Sequence, residues 1–199
     1  MGSAPVARWR TLTLAALLIA ASRVASASAD PSDDRRALVM LRALAYDNHL
    51  DHRIGDEVRI VIVYPVGDDG AAQGRRWTQA FANVRKLKVG GRAVVVTAHK
   101  FETAKLLGRA LRELRAAALV ACDGLGGAIA VPELSAVTRA NSVLSFSTRE
   151  SDVVNGLAVG IIPGTPRDEI VVNVEAAAAE GVKFDAGLLQ LARKVEVAR

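Results

Sequence analysis

Imidazoles, carboxylates and the one thiol gather at three places along the chain. The densest is Asp47-x-His49-x-Asp51-His52, followed by Asp56 and Glu57. Imidazole and carboxylate ligands suit a divalent transition metal, and His49 and His52 would share a helix face. The H-E-x-x-H pattern needs histidines four apart, however, and here they are three apart. A solvated helix end, where polar residues collect as the apolar period stops, accounts for the same residues. No metal is therefore expected, and His49 and His52 are the residues a metal would have to use. The second place is Cys122, which ends an apolar strand, where cysteine packs as a small hydrophobe. As a lone thiol in an exported chain it is also open to intermolecular pairing. The third is Asp123-Gly-Leu-Gly-Gly, at the strand-end edge where α/β folds bind ligands. It is not G-x-G-x-x-G, and a turn needing positive φ accounts for its glycines. His99 is read as opening a helix with no nucleophile beside it. With no G-x-S-x-G elbow and no P-loop, the expectation is no catalytic residue, no cofactor and no enzyme.

The elements that must position these residues follow from hydrophobic periodicity. Ala37, Leu38, Leu41, Leu44 and Ala45 recur at spacings of three and four and predict a first helix. Val58–Tyr64, closed by Pro65, reads as the first strand, and Ala71–Val84 as a helix. Arg92–Thr97 is a second strand, followed by a helix with Phe101, Ala104, Leu107, Leu111 and Leu114 on one face. Ala117–Cys122 is a third strand, Pro132–Arg139 a short helix and Val143–Phe146 a fourth strand. Leu157–Ile162 and Glu169–Val174 flank Pro163-Gly-Thr-Pro as a hairpin, which adds an antiparallel strand. Asn173 is placed to cap an Ala-rich helix that stops at Gly181. Asp185 is placed to cap a last helix carrying Leu188, Leu191, Ala192 and Val195. The expected fold is therefore α/β: one three-layer domain with a mainly parallel mixed sheet between helices. A C-terminal β-hairpin followed by two helices completes it.

The 199 residues include 26 Lys+Arg and 21 Asp+Glu, with one Cys and 4% aromatics. One cysteine excludes an intrachain disulfide and any multi-cysteine metal site. So few aromatics exclude a base-stacking nucleic-acid platform. The net charge of +5 resolves once it is located. Residues 1–29 hold Arg8, Arg10 and Arg23, no acid, and the apolar run Leu12–Ala21. That run is short of the roughly 20 residues a membrane-spanning helix needs. With the tail Ala25-Ser-Ala-Ser-Ala it reads as a secretory signal peptide, cleaved after Ala27 or Ala29. The remaining stretch, 30–199, is nearly neutral, so no nucleic-acid partner is expected. No cysteine follows the cleavage region, so no lipid anchor is expected either.

The C-terminal half carries a resemblance. Ala118-Leu-Val-Ala-Cys-Asp, Val143-Leu-Ser-Phe and Asn155-Gly-Leu-Ala-Val-Gly-Ile-Ile precede the run from Glu169-Ile-Val-Val-Asn-Val-Glu to Leu188-Leu-Gln-Leu-Ala-Arg-Lys-Val. Together, over about residues 85–195, they resemble the periplasmic YfiR-like family. The resemblance implies a periplasmic regulator, a homodimer, that acts by contact on an inner-membrane signalling protein such as a diguanylate cyclase in cyclic-di-GMP signalling. The alternative from the residues themselves is a periplasmic small-molecule (solute) binding protein using the crevice near Asp123–Gly127.

Overall fold

The computed structural model describes residues 31–127 and 129–195. The cleavage candidates Ala27 and Ala29 lie outside the described residues. Seven strands form one sheet: β1 (Glu57–Tyr64), β2 (Ala93–Lys100), β3 (Ala118–Ala121), β4 (Leu144–Ser147), β5 (Val159–Ile162), β6 (Glu169–Asn173) and β7 (Arg193–Val195). Their order is β2-β1-β3-β4-β5-β6-β7. The first five run parallel, β6 is antiparallel to β5, and β7 is parallel to β6. The expected α/β class, mixed sheet and hairpin are what the chain forms.

Helices cover both faces, as the apolar strands β1, β3 and β4 require. On one face α1 (Pro31–Ala45) and α3 (Asp68–Asn83) lay Met40, Leu41, Leu44, Trp77 and Phe81 over Val58, Ile60 and Ile62. α8 (Ala186–Leu191) adds Leu188 to the same core. On the other face α4 (Ala104–Glu113) and α5 (Val131–Ala140) pack Leu107, Leu111 and Leu134 against Val61, Val63 and Leu119. Among the described residues three short α-helices, α2 (Leu50–Arg53), α6 (Glu150–Val154) and α7 (Val174–Ala179), and a 3-10 turn at Leu125–Gly127 complete the fold. Asn173 caps α7, its Oδ1 accepting from Ala176 N at 2.9 Å, and Asp185 caps α8 by accepting from Gly187 N at 2.7 Å. Gly181 follows α7 at φ 77°, where glycine has no Cβ to clash.

Three local expectations are corrected. His99 lies inside β2, which runs on to Lys100 in register with Tyr64; the helix starts later, with Thr103 accepting from Leu106 N. α3 begins at Asp68, whose acidic first turn suits the helix dipole, so the loop after β1 is shorter than expected. The last helix stops at Leu191, which is 70% exposed, and Ala192 turns extended. Arg193–Val195 then pairs with β6, fixed by Arg193 donating to Glu169 at 2.7 Å and to Glu150 at 2.9 Å. Leu191, Ala192 and Val195 fit a helical stripe, but the open edge of β6 supplies backbone partners that a solvated turn does not.

Candidate functional site

β1 has β2 on one side and β3 on the other, and the two crossovers run on opposite faces of the sheet. The carboxyl ends of β1 and β3 therefore flank the reversal of strand order, the place where open α/β sheets bind ligands. Two loops form it. After β1 come Pro65, Val66 and Gly67, with Gly67 at φ 115° turning the chain into α3. After β3 come Cys122, Asp123 and Gly124, with Gly124 at φ 81°. A Cβ on Gly124 would lie 3.8 Å from Pro65 Cγ, so the two loops touch.

Glycine sets how closely α3 approaches this edge. A Cβ at Gly70 would stand 2.0 Å from the Pro65 carbonyl oxygen, and one at Gly74 2.7 Å from the Tyr64 ring. Both positions therefore exclude a side chain, and Gly70-x-x-x-Gly74 lets the first two turns of α3 lie on the end of β1. Asp68 and Asp69, both exposed, open the first turn of α3 just past the loop after β1. The loop after β3 carries Asp123, whose Oδ1 accepts from Thr148 Oγ1 at 3.0 Å just past β4. Beside it Ser147 Oγ accepts from Arg149 N at 3.1 Å and donates to Asp152 Oδ2 at 2.6 Å. The two loops thus carry three exposed carboxylates, with the Thr148 and Ser147 hydroxyls hydrogen-bonded beside Asp123.

An ion-pair cluster stiffens the flank of the crevice. Asp33 at the start of α1 is buried, accepts from Arg36 Nη1 at 2.8 Å and pairs with Arg76 Nε of α3 at 2.7 Å. Asp168 of the β5–β6 hairpin pairs with Arg35 at 2.9 Å. These contacts tie α1 to α3 and the hairpin to α1. Cys122 sits behind the crevice rather than in it. It is 4% exposed, and burial, with the nearby Asp123 charge, pushes its thiol up to about 12. A thiol held protonated in this way packs and does not react.

The structure places the other sequence candidates elsewhere. His49 and His52 do come together, with ring centroids 6.2 Å apart, His49 just before the single turn of α2 and His52 within it. Their acidic neighbours are otherwise engaged. Asp47 is buried and accepts from Arg53, from His49 N at 2.9 Å and from Lys183 N at 3.0 Å, while Asp51 pairs with Arg92. Among the described residues no three His, Cys, Asp or Glu side chains group as a metal site. Sequence reasoning found the Asp123 loop but missed Pro65–Asp69 and Thr148. The pair Gly70 and Gly74, four apart just after a strand, was the signal for the first.

No family model matches the chain, and no curated protein matches it. Solved structures do. A conserved domain protein from Vibrio cholerae O1 biovar El Tor superposes with a TM-score of 0.58 at 14% identity, over 81% of this chain and 59% of that one. CD0873 from Clostridium difficile, described as a substrate binding protein with adhesive properties in a ligand-free, open structure, gives 0.50 at 14% identity, over 75% and 58%. The ABC domain from Streptococcus pneumonia in complex with L-Trp gives 0.52 at 10% identity, over 77% and 62%. At these identities the likeness is one of fold. The chain spans about six-tenths of the length of each of these proteins. No helix among the described residues is long and apolar enough to cross a membrane.

Proposed function

We propose that this chain is an extracytoplasmic ligand-binding module of the solute-binding kind. It takes a small molecule bearing an ammonium group in the crevice between β1 and β3. The observation that carries the reading is the meeting of two glycine-shaped loops at the reversal of strand order, with Asp68, Asp69 and Asp123 exposed on them. Exposed carboxylates on the two loops attract a cationic group, and the Thr148 hydroxyl fixes the orientation of Asp123. Two fold neighbours whose descriptions name a substrate or a bound amino acid support the class. The signal-like segment 1–29 supports export. Ligand capture, not catalysis, is the proposed activity.

The experiment is a thermal-shift screen of amino acids, polyamines and amino sugars against the protein, followed by calorimetry on any hit. Asp123→Asn should weaken the hit at least about tenfold, as loss of one charge contact does. A screen without a hit, or a hit indifferent to Asp123→Asn, refutes the reading.

A second reading, the contact-driven regulator implied by the YfiR-like resemblance, has its own observation. β2 is an eight-residue edge strand whose Ala93, Val95, Thr97 and Ala98 are exposed, with one lysine at its end. An unguarded edge of this kind pairs readily with another strand. Capture of a membrane signalling protein that is lost in Val95→Lys/Thr97→Lys would favour this reading over the first.

A further inference from the structure

Two non-glycine residues among the described ones have a left-handed backbone, Arg115 at φ 48° and Ser142 at φ 52°. Each stands just past the end of a helix, Arg115 beyond α4 and Ser142 beyond α5. Glycine is the usual residue there, since a Cβ is strained in that conformation. The chain obeys that preference elsewhere, with Gly156 after α6 and Gly181 after α7. At these two ends it does not, and both exceptions line one groove.

The groove has a volume of about 460 Å³ and lies at the edge of the sheet opposite the ligand crevice. His52, Arg53, Arg112 and Asn141 line it with Arg115 and Ser142, and no carboxylate does. Arg53 is anchored from behind: Nη1 donates to Ala117 O at 3.2 Å and to Ser142 O at 2.9 Å, and Nη2 pairs with Asp47. Its side chain is only 8% exposed, yet Nε–H has no acceptor among the described residues. Arg112 is steadied by donating to Asn141 Oδ1 at 3.0 Å. Arg115 makes no ion pair among the described residues, whereas Arg109, on the same helix but outside the groove, is tied to Glu113 at 2.6 Å. A smaller groove of about 350 Å³ adjoins through Gly55 and Arg115 and adds Arg59. Its acids, Asp56 and Glu57, belong to that side, and Glu57 is paired with Arg59 at 3.2 Å.

We infer that the groove between the ends of α4 and α5 is an oxyanion-binding site, with Arg112 and Arg115 as its principal cationic groups. Guanidinium forks match the geometry of phosphate and similar oxyanions. Strained backbone kept at two adjoining positions is the pattern of a site where side-chain identity outweighs local stability. Free phosphate and a phospholipid headgroup share this chemistry. The inference is independent of the crevice and its ligand.

The test uses the full chain at low ionic strength. Inorganic phosphate is titrated by calorimetry, and co-sedimentation is measured with phosphatidylcholine vesicles with and without phosphatidylglycerol. Binding of free phosphate tighter than about 1 mM supports a soluble oxyanion as the source. Binding of the anionic vesicles alone supports the headgroup. Arg112→Ala should weaken either at least about tenfold, and Arg109→Ala should leave both unchanged. Arg115→Gly is the sharper variant. It should raise the unfolding temperature of the free protein by relieving the left-handed strain and at the same time lose the anion. The inference is overturned if neither probe binds, or if Arg112→Ala and Arg115→Gly bind as the parent does.

Discussion

Glu180 is fully buried at the end of α7, and its protonation should set how stability varies with pH. Thr138 Oγ1 lies 2.5 Å from Glu180 Oε1, Ser145 Oγ donates to the same oxygen at 2.7 Å, and Ser145 N donates to Oε2 at 2.8 Å. Thr138 also lies 3.0 Å from the Ser135 carbonyl. It has one hydroxyl proton for two oxygen neighbours, so a protonated Glu180 donating to Thr138 satisfies both contacts. Burial raises the carboxyl from 4.5 to about 7, against these hydrogen bonds and the Arg139 charge, which lower it.

The native state thus holds a proton that the unfolded chain releases, so stability is full below about pH 4.5 and falls as pH rises through about 7. At about 1.4 kcal/mol per pH unit the loss amounts to about 3 kcal/mol. Urea unfolding between pH 4.5 and 8 measures it, with Glu180→Gln as the neutral comparison. The difference between the two proteins should favour the parent at low pH, shrink by about 3 kcal/mol and level off above pH 7. A difference that stays constant with pH refutes the reasoning.

Four further outcomes rest on individual contacts. Gly70→Ala should cost about 2 kcal/mol or more in chemical denaturation, because its Cβ would meet the Pro65 carbonyl oxygen at 2.0 Å. Asp47→Ala removes the partner of a buried Arg53 and the acceptor of two backbone N–H groups, and should cost about 3 kcal/mol by the same assay. Asn173→Ala loses both the α7 cap and the bond from Nδ2 to Val153 O at 3.0 Å, and should cost about 1–2 kcal/mol. Cys122 should not react with a thiol reagent at pH 8 in the native protein and should react fully in urea, since burial removes both access and thiolate.

Much of this architecture was legible because local signals and tertiary demands agree. The β-branched run closed by Pro65, the caps at Asn173 and Asp185 and the turn at Pro163 each reappear at their expected place. Reading failed where a partner distant in sequence decides. Arg193–Val195 becomes a strand because β6 has an open edge, which no helical period encodes. His99 stays in β2 because the strand pairs with β1 through all eight of its residues. The crevice was half legible. Asp123-Gly marks a turn after a strand, but its meeting with Pro65–Asp69 comes from strand order, and the Gly70 and Gly74 contacts from the depth of α3. The groove near Arg115 was not legible, because an arginine just past a helix gives no sign of its left-handed backbone.

The proposed site for a small ammonium-bearing ligand is where β1 and β3 end. Amide chemical-shift mapping of the labelled protein during titration with the best amine from the screen tests it most directly. Saturable shifts should cluster on Val66–Asp69, Asp123–Gly127 and Thr148 and be lost in Asp123→Asn. Shifts confined to the β2 edge or to the groove at Arg112 and Arg115, or no saturable shifts from any amine, would contradict it.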